Sequence, residues 1–253
     1  VVLSKHLHTW EDNLEDAYQH FAAASLQDPA FSRASEWMLD NFYIVKQTFR
    51  QIEEGLPASF INQLPKLDAT PLQGHPRVYA LACGWIETSQ GQIDLTQAAI
   101  FVKDYQQVTA LTIGELWALP IMLRIGILEQ LVVAAAELTG MEAPPLAGTR
   151  RISKSLGEIP MQAASPALPN ETIVSNCFLN LRLLFSTDWK DFFEQTSRVE
   201  RILRDDPAGI YAGMDFDTRN SYRSVIEELA RHSTSSEEEV ALATIKFARG
   251  NPV

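Results

Sequence analysis

Apolar residues recur every three to four positions along nearly the whole of this 253-residue chain, and no segment sustains a two-residue alternation. That property constrains the fold more than any other. A period near 3.6 gives each segment an apolar stripe that another helix can cover, and without a period of two no substantial sheet is available. From Ser32 to Glu54 the stripe is Met38, Phe42, Val45, Phe49 and Ile52, stopped by Gly55 and Pro57. Asp94 with Gln97 is a capping-box variant ahead of Leu95, Ala98, Val102 and Tyr105. Thr172 to Phe185 carries Val174, Cys177, Phe178, Leu181 and Phe185. A helix starting near Asp188 carries Phe192, Thr196, Val199 and Leu203 and ends before Pro207 and Gly209.

Asp215 or Asp217 caps a further helix with Tyr222, Val225, Ile226 and Leu229 inward. Ser235 with Glu238, or Ser236 with Glu239, opens the last helix, with Val240, Thr244 and Phe247 inward and Gly250 and Pro252 at its end. Glu194–Arg198, Glu200–Arg204 and Glu227–Arg231 have the spacing and order of favourable pairs one turn apart. The expected fold is all-α, a multi-helix bundle or array of about eight to ten helices.

Leu111 to Leu138 is the most apolar stretch, interrupted by Glu115, Arg124 and Glu129. Its charge-free run from Leu116 to Leu123 falls well short of the roughly 20 residues a bilayer span needs, so it reads as a buried core helix with its charges in structural ion pairs. Gly140 to Asn170 holds Pro144, Pro145, Pro160, Pro166 and Pro169 without a helical stripe and reads as a linker or surface loop, its Arg150, Arg151 and Lys154 solvated. The expected organisation is an N-terminal helical part, 1–140, a Pro-rich segment, 141–170, and a C-terminal helical part, 171–253, packed on the first as one unit. No internal repeat is visible. Cys83 and Cys177 are too few for a zinc site or a disulfide scaffold and read as buried reduced thiols, as in a cytosolic protein. No signal peptide is visible, and a chain starting at Val1 is expected to be a piece of something longer.

Charge narrows the partners. Thirty-two acidic against 21 basic residues leave a formal net charge of −11, which opposes nucleic acid and anionic membrane surfaces. Neither G-x-G-x-x-G nor the P-loop pattern occurs. His6, His8 and Glu11 have irregular spacing for a metal; Asp215-Phe216-Asp217 reads as a helix cap rather than a cation-binding pair; Asp205-Asp206 before Pro207 reads as a helix C-terminus. The one group with catalytic potential is Asp188, Asp191 and Glu194 beside Trp189, carboxylates next to an aromatic that suits a sugar. Acids in a first helical turn are also what the helix dipole favours. Arg77, Tyr79, Arg219 and Arg223 stand near residues read as exposed, and their clustering with acids would mark a structural network. The tryptophans (10, 37, 85, 117 and 189) read mostly as core anchors.

Several segments together resemble one family: Ala34–Phe42 (ASEWMLDNF), Leu64–Leu67 (LPKL), His75–Ala82 (HPRVYALA), Leu111–Pro120 (LTIGELWALP), Thr187–Glu194 (TDWKDFFE), Asp206–Arg219 (DPAGIYAGMDFDTR) and Tyr222–Ala230 (YRSVIEELA). The set, scattered over Ala34 to Ala248, resembles the region ahead of the membrane-embedded glycosyltransferase module in cyclic β-1,2-glucan synthases. The resemblance implies a large inner-membrane parent that polymerises glucose from UDP-glucose with a divalent cation, and cyclises and trims the product in separate domains. This chain would be its helical region on the cytoplasmic side, in contact with other domains of the same polypeptide and scaffolding or regulating the transferase. The family's metal-binding aspartate motif and Q-x-x-R-W motif do not occur in recognisable context, so no catalytic residue, cofactor or metal ligand carries over. The family pattern also has helices between the long apolar helix and Thr187, where this chain has only its Pro-rich segment. The competing expectation is a self-sufficient helical glycoside hydrolase or glycanotransferase using Asp188, Asp191 or Glu194; a third is a protein-interaction module outside carbohydrate metabolism, which requires a large exposed apolar patch.

Overall fold

The computed structural model describes residues 2–25, 33–69, 72–89, 92–144 and 168–250. Most of the Pro-rich segment, with Arg150, Arg151 and Lys154, lies outside them. Among the described residues the chain is all-α: eleven helices, nine of seven residues or more, with no strand. In order they are α1 (Val2–Ser25), α2 (Arg33–Gly55), α3 (Ala58–Gln63), α4 (Arg77–Thr88), α5 (Leu95–Tyr105), α6 (Ile113–Thr139), α7 (Asn170–Ser186), α8 (Trp189–Thr196), α9 (Arg198–Leu203), α10 (Phe216–Arg231) and α11 (Glu237–Gly250), with a 3₁₀ turn at Tyr211–Gly213. They group into two compact units, each discontinuous in sequence: Val1–Asp94 with Ala118–Thr187, and Leu95–Trp117 with Asp188–Val253.

In the first unit α1 turns Trp10, Leu14, Ala17 and Phe21 inward, one or two turns apart, and packs on α2, where Tyr18 stacks on Phe42 at 4.6 Å between ring centres. The α2 stripe is buried as its periodicity predicts. On its other flank α2 packs against α7: Trp37 stacks on Phe178, and Arg182 donates to Asn41. The inward residues of α7 are Val174, Cys177, Phe178, Leu181 and Leu184, whereas Phe185, expected inside, is exposed at the helix end.

α6 is the core helix. By length and composition it is long and apolar enough to cross a membrane, yet 89% of its most apolar window is buried in the protein. Pro120 lies inside it and removes the N–H that would bond the Leu116 carbonyl. Gly126 lets α4 approach: a Cβ there would stand 2.7 Å from Cδ1 of Ile86. Gly140, at φ 70°, ends the helix in a left-handed cap, and the Met141 N–H bonds the Ala136 carbonyl.

Of the charges within α6, Arg124 departs from the ion pair expected of it. Arg124 donates to two main-chain carbonyls, of Pro120 at 3.1 Å and Leu184 at 2.9 Å. The C-terminal turn of α7 leaves the Leu184 carbonyl without a helical N–H partner, and a guanidinium is the donor long enough to reach it from α6 while also bonding one turn back to Pro120. Glu129 accepts from the Tyr79 hydroxyl of α4 at 2.6 Å. Glu115 belongs to a capping box: it accepts from the Thr112 N–H at 2.9 Å, and Thr112 Oγ1 accepts from the Glu115 N–H at 3.1 Å. Both thiols are buried and unpaired by disulfide; burial pushes Cys177 up to about 12 and Cys83 well above its ordinary range, which keeps them as inert thiols.

Candidate functional site

The second unit concentrates the molecule's charged chemistry. The helix expected to run from Asp188 to Leu203 is two helices, because Ser197 adopts extended geometry and caps the second, its Oγ accepting from the Glu200 N–H. All four predicted inward positions, Phe192, Thr196, Val199 and Leu203, are nonetheless buried. The break also explains the missing Glu194–Arg198 pair: the two residues no longer sit one turn apart on one helix, and Arg198 is ion-paired with Glu238 at 2.8 Å and donates Nη1 to the Gln106 carbonyl at 3.0 Å. The Glu200–Arg204 and Glu227–Arg231 pairs form, at 2.8 and 3.0 Å.

Around this break two carboxylates, three guanidiniums and a phenol interlock. Glu200, fully buried, accepts from Arg223 Nη1 at 2.6 Å and the Tyr211 hydroxyl at 2.7 Å on one oxygen, and from Arg204 Nε at 2.8 Å on the other. Glu194 accepts from Arg204 Nη2 at 2.9 Å and from Arg219 through both Nε and Nη2. The Arg219 guanidinium is held above its ordinary range by the Glu194 carboxylate, and burial, aided by Glu200, pushes the Tyr211 phenol up. Arg223, also fully buried, lies between Phe193 and Phe216 at 5.0 and 4.6 Å from their ring centres, and Trp117 stacks on Phe193 at 4.6 Å. The Arg219 and Arg223 neighbourhood is thus interior, and their clustering with acids makes the structural network considered from sequence.

The three candidate carboxylates have different partners. Asp188 is the N-cap of α8 and accepts from the Lys190 N–H at 2.9 Å; Asp191 is exposed in the first turn; Glu194 is clamped by arginines. Trp189 is half-buried and meets Phe192 edge-on at 5.3 Å. Asp215 caps α10, accepting from the N–H and the hydroxyl of Thr218, and those bonds lower its pKa. Asp206 folds the turn after α9, accepting from the N–H groups of Ala208, Ile210 and Tyr211, which lower its pKa. His6 stacks on Trp10 at 6.0 Å on α1. Among the described residues no group of three metal-ligating side chains converges.

Sequence reading missed two features here. The Ser197-x-x-Glu200 spacing signalled the break, and Thr112-x-x-Glu115 signalled the cap that opens α6. A second acid reinforces that start of α6: Glu237 accepts from the Ile113 N–H at 2.7 Å. Burial, with Glu227 and Glu115 nearby, pushes Glu237 up to about 7 despite that bond and the opposing Arg231. Beside the network a cleft of about 350 Å³ runs between the ends of α5 and α8 and along α9.

No protein-family model matches the chain. Over 94% of its length it is similar to the cyclic beta-(1,2)-glucan synthase NdvB of Rhizobium meliloti (strain 1021), at 27% identity across 294 aligned residues. The chain spans 10% of the length of that relative. The alignment is longer than the chain's 253 residues, so the relative carries residues that this chain lacks.

Proposed function

We propose that this chain is a non-catalytic helical domain of a cyclic β-1,2-glucan synthase-like glycosyltransferase, scaffolding or regulating a parent that makes glucan from UDP-glucose with a divalent cation. The observation that carries the reading is the similarity to NdvB along almost the whole chain but over a tenth of that protein. A piece of that size acts through the domains it joins. Its interior charges support the same role, since Glu194 and Glu200 spend their lone pairs on arginines and a tyrosine, which ties α8, α9, the 3₁₀ turn and α10 together. The partners are other domains of the same polypeptide, on the cytoplasmic side of the inner membrane; the acidic surface disfavours nucleic acid, and burial of α6 supports a chain without a span of its own.

Two measurements test this. The isolated chain, given UDP-glucose and Mg²⁺, is expected to form no glucan; sustained synthesis would overturn the non-catalytic assignment. In the full-length parent, deleting the region is expected to lower glucan output while the transferase module stays in the membrane; undiminished output would remove the scaffold role.

A further inference from the structure

Although the chain is acidic, the cleft beside the arginine network is lined by Lys103, Arg198, Arg201 and Arg204 against the single carboxylate of Glu194. Two of these cations are fixed in place. Arg198 is ion-paired with Glu238 and donates Nη1 to the Gln106 carbonyl, and Arg204 donates Nε to Glu200 and Nη2 to Glu194. Each keeps a further guanidinium nitrogen, Nη2 of Arg198 and Nη1 of Arg204, without a protein acceptor among the described residues. The other two, Lys103 at the end of α5 and Arg201 on α9, are exposed and have no ion-pair partner among the described residues. Structural pairing therefore accounts for half of this positive charge and leaves the rest facing a concave surface. A concave surface of one sign focuses the field on a counter-ion.

We infer that this cleft binds the phosphoryl group of a small soluble ligand. Guanidinium and ammonium donors match phosphoryl oxygens in charge and geometry, and pre-positioned arginines lose little side-chain freedom on binding. The amides and hydroxyls of Gln107, Gln195 and Ser197 on the same lining suit a polar, hydroxyl-bearing remainder. At about 350 Å³ the cleft takes a compact ligand. A net charge of −11 disfavours approach to an anionic bilayer, so the source is a solute rather than a lipid headgroup.

The test is calorimetric titration of the whole chain with inorganic pyrophosphate at low ionic strength, alongside vesicles containing phosphatidylglycerol. Wild type is expected to bind pyrophosphate and not the vesicles. The double variant Lys103→Gln/Arg201→Gln, at positions whose side chains hold no structural ion pair, is expected to weaken binding about tenfold or more, while Arg201→Lys stays within about threefold. The control Lys246→Gln/Arg249→Gln removes two exposed charges elsewhere, on α11, and is expected to leave binding unchanged. Binding lost equally in the control, binding intact in the double variant, no binding by wild type, or binding confined to vesicles would each overturn the assignment. Circular dichroism of every variant separates loss of site from loss of fold.

Discussion

Arg223 shows how one side chain can decide the orientation of its neighbourhood. Its guanidinium lies between two aromatic rings and against buried Glu200, a carboxylate that needs positive partners to remain charged out of water. Arg223→Met is therefore expected to destabilise the fold by about 2–4 kcal/mol in chemical denaturation, because it takes the fully buried cation away from Glu200 and leaves that anion to Arg204 and the Tyr211 hydroxyl. Adding Glu200→Gln should recover a good part of that loss; a double variant as damaged as the single would refute the charge argument. Glu237 gives a pH signature of opposite sense to an ordinary paired carboxylate. Its pKa rises from 4.5 to about 7 on folding, so between those values the folded chain holds more protons than the unfolded one, and stability falls as pH climbs through that window. The contribution is on the order of 1–3 kcal/mol, and Glu237→Gln, which keeps an oxygen for the Ile113 N–H, should flatten it in pH-dependent thermal melts.

At the scale of elements, local signals were legible and rotations were not. The caps at Asp188, Asp215 and Ser236 lie where their residue types indicate; Ser236 and Glu239 bond each other's N–H at 3.2 and 2.8 Å. The last two helices, however, face inward only in part through the expected stripes: Ile226 is buried as expected, and the other inward positions lie one residue on. α10 buries Arg223 and Ile226 and leaves Tyr222, Val225 and Leu229 half-exposed; α11 buries Ala241 and Ile245, with Thr244 and Phe247 outside. One residue is about 100° of helix rotation, enough to move a stripe from core to surface. The cause on α10 is the pull of Glu200 on Arg223, which hydrophobic periodicity does not register. Ile226→Ala should thus cost about 2–4 kcal/mol, while Val225→Lys and Leu229→Lys should each stay within about 0.5 kcal/mol, by urea denaturation. Ser197→Ala should cost about 1 kcal/mol, since it removes the cap that starts α9.

For the whole molecule, the burial of α6 sets the hierarchy of local stability. Its amides between Ile121 and Ala136 sit among buried side chains on most faces, whereas α10 and α11 each present an exposed side. Hydrogen–deuterium exchange should be slowest there and markedly faster in α10 and α11; uniform protection would contradict this ordering. The all-helical class, the core position of α6 and the likeness to glucan synthases were all accessible from the amino-acid order, because period, caps and motifs are written in residues a few positions apart. The break at Ser197 lay there too, in an unweighted serine–glutamate spacing. Tertiary structure decided which way each amphipathic helix turns, where Arg124 and Glu129 find their bonds, and that Glu194 meets Arg219 rather than Arg198. Those outcomes depend on partners 25 to 60 residues away, and a buried charge will rotate a helix to reach one, since leaving it unmatched costs more than exposing a few apolar side chains.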